Sequence, residues 1–304
     1  MKIRAATRRW IPVARRDFQS SIRAWRLWFL PLVIVGTSIP AFSQRPYVEE
    51  YLGSSLAVAA LQNPVVFFVA IGGVLLGYQA VASEIETGSI TLTTAMPVTR
   101  LDVLLGKLVG RFLVLAVHIT IAFVLVGGIG WYHIGSISIS AFVGFYLLTL
   151  VYGLLNLSVG LSLSCVVSSG YRAGLGAFAY LLGMIGMWSH VLIPALYFQL
   201  GGERFGVYPP ASDWLFFARR LSPRESFHVL GNYILGTGNS DSLAVQIARV
   251  SRESSSGLVY IADDAFDPVP WFFSPAVSGV IVLLWIVGSL GLGYVVLERR
   301  SLRR

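Results

Sequence analysis

Residues Phe112–Trp131 read FLVLAVHITIAFVLVGGIGW. No Asp, Glu, Lys or Arg interrupts these 20 residues, and the apolar positions run on without the alternation of a strand with one wet face. Wound as a helix, a stretch of this length covers about 30 Å, the thickness of a bilayer's hydrocarbon core. Lipid offers no partner to a free N–H or C=O, so such a run must pair its backbone internally, as a helix does. Five other segments share this character: Leu27–Ser43, Pro64–Ala82, Ala141–Ser164, Ala173–Leu200 and Trp271–Leu297. The chain has 304 residues, 55% hydrophobic and 12% charged, whereas soluble domains carry about a quarter charged residues. The expected fold class is therefore all-α, a polytopic membrane protein with six transmembrane helices.

The net charge of +8 follows the membrane rather than a nucleic acid. With the N-terminus in the cytoplasm, the inside segments hold 16 of the 23 Lys/Arg and the outside segments ten of the 15 acids. Short loops rich in Lys/Arg stay inside, which predicts that both termini are cytoplasmic, in the cell (plasma) membrane. The partner implied is the bilayer, whose inner leaflet is anionic, and no nucleic acid. Residues 1–26 form a basic segment in which Phe18, Ile22 and Trp25 share a helical face, as in an interfacial helix. About 26 residues ahead of the first apolar run make a long n-region, so Leu27–Ser43 is expected to remain as a mature span rather than a cleaved signal. The expected organisation is then 1–26 interfacial, 27–198 helices one to five, 199–270 an extracytoplasmic loop, 271–297 the sixth helix and 298–304 a basic tail.

The loop 199–270 is too long for a simple connector. Within it SPRE, Ser222–Glu225, reads as a capping box with Pro223 at the first helical position, followed by Phe227, Leu230, Tyr233 and Ile234 at helical spacing. A similar stripe, Trp214, Phe217, Ala218 and Leu221, precedes it. Both helices are expected to dip into the outer interface or pack on the bundle. The Gly/Ser/Asp-rich remainder reads as a mobile lobe. Gly73/Gly77, Gly106/Gly110 and Gly170/Gly174 are small-xxx-small pairs that allow close helix approach.

Little catalytic chemistry is present. Gly106-Lys107 has Leu101 and Leu108 where a phosphate-binding loop needs Gly and Ser/Thr, so ATP would be handled by another chain. His118, His133, His190 and His228 lack metal-ligand spacing, and Cys165 is the single cysteine. No catalytic, cofactor-binding or metal residue is expected, and the chain is not expected to be an enzyme. Gln79, His118, Asn156 and His190 are polar residues in apolar segments, expected to line a pathway or to pair between helices.

Between the second and third spans lies SEIETGSITLTTAMPVTRLDVLLGK, Ser83–Lys107. Thr99 and Asp102 can form a capping box after Pro97, so residues 83–98 make a bounded element between two helix ends. Such an element suits docking against a soluble partner. From Gly77 to Arg111 the sequence resembles the cytoplasmic block of the type 2 family of ATP-binding-cassette transporter permeases, with Gly77, Tyr78, Glu84, Gly88, Pro97, Arg100, Gly106 and Lys107 at matching positions. Gln79 and Val81 depart from that pattern, as does the β-branched TLTT in what the family forms as a coupling helix. The resemblance implies the permease subunit of an exporter, paired with a second permease chain as a homo- or heterodimer and driven by a separate ATPase subunit that holds ATP and Mg. It assigns ATPase docking to Glu84, Glu86, Gly88, Pro97, Arg100 and Lys107. Within the family, the alternative is a permease for metalloenzyme maturation of the nitrous-oxide reductase assembly type, whose outside loop would meet an extracytoplasmic protein. An intramembrane enzyme using His118 or His190, and a scaffold without transport, are the alternatives of other classes.

Overall fold

The computed structural model describes residues 9–43, 46–87, 99–203, 210, 212–250, 262 and 266–299. Helix α1 is Trp10–Ser21, and α2 is Phe29–Ser38, continued by a 3-10 stretch over Ile39–Ser43. Then come α3 (Val48–Glu86), α4 (Arg100–Ile134), α5 (Ile139–Val166) and α6 (Gly170–Gln199). Helices α7 (Asp213–Arg220), α8 (Pro223–Leu235) and α9 (Ala244–Val250) precede α10 (Pro275–Arg299). Helices α3, α4, α5, α6 and α10 are long and apolar enough to cross a membrane, whereas the first expected span forms a shorter apolar helix over Phe29–Ser43. Helix α3 starts well before Pro64, because the expected connection is itself apolar from Leu56 to Leu61 and buried on the bundle.

At the centre, α5 packs on α3, α4, α8 and α10. The α3–α5 crossing is a backbone contact: a methyl group added at Gly77 would stand 2.5 Å from the amide nitrogen of Leu161, and one at Gly160 would stand 2.6 Å from the carbonyl oxygen of Val74. Gly73 is held nearly as close, with Asn156 Cβ and Leu157 N 3.0 Å from its virtual Cβ. Of the predicted glycine pairs, Gly106/Gly110 also receives a helix, since α1 lays Val13 and the Ala14 carbonyl on it. Gly77→Ala is expected to lower stability by about 1–3 kcal/mol, seen as an earlier thermal unfolding transition of the purified protein in nanodiscs.

Two helices are irregular where the sequence gives little warning. Pro64 removes a backbone donor inside α3, and the following Val65–Val69 is π-helical. The hydroxyl of Tyr152 on α5 donates to the Val66 carbonyl there (3.1 Å). Helix α3 loosens again into a turn over residues 78–81, and the N–H groups of Val81 and Ala82 both donate to the Ser164 hydroxyl of α5 (2.8 and 2.9 Å). Helix α6 is π-helical over Leu181–Leu192.

The α7–α8 hairpin turns back into the bundle. Phe227 is fully buried, its ring 4.5 Å from that of Tyr152 and 5.4 Å from that of Phe145, at the middle of α5. The expected Ser222 cap forms, with Pro223 in the first turn, but the reciprocal half of the box does not. Ser222 N–H instead donates to the Arg219 carbonyl (3.1 Å), which leaves Glu225 no backbone donor to reach. The Glu225 carboxylate lies buried beside Ser189 without hydrogen-bond geometry and 4.0 Å from Arg224. The segment expected to be mobile contains α9, whose Ala244, Ile247 and Ala248 are buried, with Ala244 and Ala248 packing on Val48, Leu52 and Leu56. Gln62 of α3 ties these parts together: its amide donates to Asn232 of α8 and its oxygen accepts from Ala244 N–H, both at 2.8 Å.

Burial, and then Asp241, push the Glu225 carboxyl up to about 6, against the opposing pull of Arg224 and Arg219. A carboxyl raised in the folded state contributes stability that is full below its free value of 4.5 and is lost as pH rises through about 6. Glu225→Gln, which stays neutral, is expected to match the parent at pH 4.5 and to exceed it at pH 8, by an amount on the order of 2 kcal/mol. Thermal unfolding at the two pH values measures the difference.

Candidate functional site

The polar groups of the 83–107 region gather where α1, α3 and α4 meet. Lys107 is only 3% exposed, and its ammonium donates to Glu84 Oε1 at 2.6 Å, with Asp17 Oδ1 of α1 at 3.8 Å. Arg111, one helical turn further along α4, donates from Nε to Asp17 Oδ2 (2.8 Å) and from a terminal nitrogen to the carbonyl of Leu76. Two cations and two carboxylates thus close a neutral knot, and α1 becomes part of it through Asp17. Burying any one of these charges alone would cost several kcal/mol, so the four are retained together.

The flanks of the element are tied to other helices. Glu86 Oε2 accepts from the N–H of Gly170 (2.9 Å) at the start of α6, where unpaired amides and the helix dipole favour a carboxylate. At the far flank the Thr99–Asp102 capping box forms in both directions, with Thr99 N–H to Asp102 Oδ2 at 2.9 Å and Asp102 N–H to Thr99 Oγ1 at 3.1 Å. Arg100 pairs with no carboxylate among the described residues. It donates to the carbonyls of Leu297 (2.6 Å) and Glu298, capping the C-terminal end of α10. Of the docking residues read from the sequence, Glu84 and Lys107 meet directly, Glu86 and Arg100 reach different helices, and Gly88 and Pro97 lie outside the described residues, as does the helicity of 88–96.

The described residues before 88 therefore end at a junction of α1, α3, α4 and α6, and those from Thr99 on begin at a junction of α4 and α10. The family model described as ABC-2 family transporter protein matches residues 11–302. The chain belongs to the ABC-2 transporter family. A search of curated proteins gave no match. The ABC-2 chain is accordingly a multi-pass membrane protein and an ATP-binding-cassette transporter permease, a transporter component whose family implies association with an ATP-binding-cassette ATPase.

The polar residues inside the apolar segments of this ABC-2 permease divide into two kinds. Asn156 is fully buried, its amide donating to the Tyr152 carbonyl (2.8 Å) and its oxygen accepting from the Tyr180 hydroxyl (3.0 Å). His118 is buried as well, with Nδ1 on the Val114 carbonyl (2.7 Å) and its ring 4.9 Å from that of Trp28. Both act between or within helices. Gln79 on α3 and His190 on α6 are exposed. Asp17, Gln62 and Ser164 were not singled out by the sequence reading. Asp17 had one available signal, an acid among six Arg between residues 8 and 26.

Lys107→Met is expected to destabilise the protein by about 3–5 kcal/mol, because Glu84 and part of Asp17 lose their counter-charge in a buried site. Adding Glu84→Gln to that variant should restore a large part of the loss. Thermal unfolding of the two single variants and the double variant gives the coupling directly.

Proposed function

We propose that this permease is an exporter whose 83–107 region docks a separate ATPase subunit carrying ATP and Mg, in a plasma-membrane assembly of two permease chains, identical or not. The observation that carries the reading is the anchoring of the residues on either side of 88–98. Glu84 and Glu86 are tied down before it and the Thr99–Asp102 box and Arg100 after it, so a push on these flanks is delivered to α1, α3, α4, α6 and α10 together. In this reading the Glu84 end is cytoplasmic, α1 lies along the inner interface with Arg15 and Arg16 exposed, and Phe29–Ser43 supplies the first, shorter crossing. Exposed aromatic residues support that placement at the outer end, where Trp131, Tyr132, Trp214 and Trp271 sit.

The second chain covers the side of the bundle where Asn63, Ile71, Leu75 and Gln79 of α3 and Leu182 and His190 of α6 are exposed. Polar side chains on such a face are costly against lipid and favour protein or a water-lined pathway. An apolar moiety in the cargo is supported by the cleft of about 680 Å³ between α5, α6 and α10, lined by Val159, Met184, Trp188, Leu284, Trp285 and Leu292. The polar atoms of its aromatic wall are taken up within the protein, as with the Tyr180 hydroxyl on Asn156.

The test is co-expression with the partner ATP-binding-cassette ATPase subunit. Glu86→Ala with Arg100→Ala, which leaves the Lys107–Glu84 pair intact, is expected to leave the permease folded and to reduce ATP hydrolysis of the assembly to the rate of the ATPase alone. Hydrolysis and co-purification equal to the parent's would refute docking at this joint.

A further inference from the structure

The turn between α7 and α8 sits at a depth where backbone groups cannot count on water. Helix α7 ends at Arg220 and α8 begins at Pro223, yet Phe227, one turn later, already touches the middle of α5. The carbonyls at the end of α7 need donors, and two deep tryptophans supply them. Trp188 Nε1 of α6 donates to the Ala218 carbonyl (2.8 Å), and Trp285 Nε1 of α10 donates to the Leu221 carbonyl (3.0 Å). The exchange is reciprocal. Ser222 Oγ donates to the Met184 carbonyl (2.9 Å), and an Arg224 guanidinium nitrogen donates to the Ile185 carbonyl (3.3 Å), both within the π-helical part of α6.

Two features make these bonds more than packing. Apart from Ser222, whose hydroxyl also caps α8, each donor comes from a long side chain that reaches across to another element, so the turn is tied to α6 and α10 by directional bonds in addition to the packing of α8 on α5. The α6 segment that meets it has π-type i→i+5 bonding, a form found mostly as short interruptions at functional sites. Regaining α-helical bonding over Leu181–Leu192 would rotate Trp188 relative to Met184 and Ile185, and no single position of the turn could then keep all three bonds to α6. We propose that the reciprocal bonds of Trp188, Trp285, Ser222 and Arg224 form a latch that holds the re-entrant α7–α8 hairpin shut, and that rewinding of the α6 π segment releases it to open the outer side of the permease. This rests on the orientation given under the proposed function, with the hairpin outside.

Ser189 reports on the latch. It lies on α6 beside Glu225, is 4% exposed, and its hydroxyl makes no hydrogen bond, so Ser189→Cys is a quiet probe beneath the hairpin. In a Cys165→Ala background in nanodiscs, Ser189→Cys is expected to react slowly with a membrane-impermeant maleimide. Adding Trp188→Phe and Trp285→Phe, which keep the rings and remove both N–H donors, should speed labelling about 30-fold, with amide exchange of residues 213–224 rising in parallel and that of α4 unchanged. Should the double variant fail to fold, Ser222→Ala alone should give a smaller acceleration of the same kind. Labelling and exchange equal to the parent's in every folded variant would overturn the latch. These measurements need no ATPase, so they stand apart from the docking test. In the assembled complex, trapping ATP should accelerate labelling of Ser189→Cys with both tryptophans present, and an unchanged rate in a complex that hydrolyses ATP would overturn release by α6.

Discussion

A backbone polar group in lipid has no water to turn to, and most of the long-range hydrogen bonds in this permease answer that constraint. Wherever a helix loosens or ends inside the bundle, a side chain from another helix closes the gap. Tyr152 reaches the Val66 carbonyl after Pro64, Ser164 takes the N–H groups of Val81 and Ala82, and Arg100 covers the last carbonyls of α10. These irregularities are affordable only because α5 stands close enough to serve α3 at two of them, which its glycines allow. Polar residues of the interior therefore hold helices in place first, and the ones left uncommitted stand out against that background.

The two ends of the bundle use different chemistry for a similar task. At the Glu84 end, helices are joined by charges that neutralise one another within a few ångströms, an arrangement that resists sliding but responds to any added charge nearby. At the opposite end, neutral amides and indoles do much of the joining, Gln62 with Asn232 and Ala244 and the two tryptophans with the α7–α8 turn, beside the Arg219–Asp241 pair (2.9 Å) and the Arg224 bond to Ile185. Neutral bonds of about 1 kcal/mol each can be exchanged at modest cost, whereas breaking a buried ion pair leaves a stranded charge. The Glu84 end is thus suited to transmit force, and the neutral bonds of the other end to change partners.

Much of the fold was legible in the sequence because its signals are long. Apolar runs of about 20 residues placed α3 to α6 and α10, the Thr99–Asp102 spacing placed the start of α4, and the glycine pairs at 73/77 and 106/110 marked real contacts. One misreading came from a neighbour just upstream. SPRE looked like a capping box, but the Arg219 carbonyl engages the Ser222 N–H and burial turns Glu225 elsewhere. Other partners lie far away in the chain: Arg100 bonds main-chain oxygens nearly two hundred residues on, which no local pattern marks. No local pattern announces the π segments, since they depend on which carbonyls a neighbouring helix can satisfy. The site was legible in part: Glu84 and Lys107 were both named among the docking residues, whereas Asp17, which completes the knot, was hidden among basic residues.

The contact of Gly77 with Gly160 has a mechanical meaning. Where two backbones touch, neither helix can translate toward the other, so α3 can only tilt about that point. The turn over residues 78–81 lies to one side of it, before Glu84, and the π-helical Val65–Val69 to the other, before Gln62. The contact is then a fixed point between two softer joints. A displacement of Glu84 is taken up first at the turn that Ser164 holds, while Gln62, bonded to both α8 and the start of α9, keeps its place beyond the second joint.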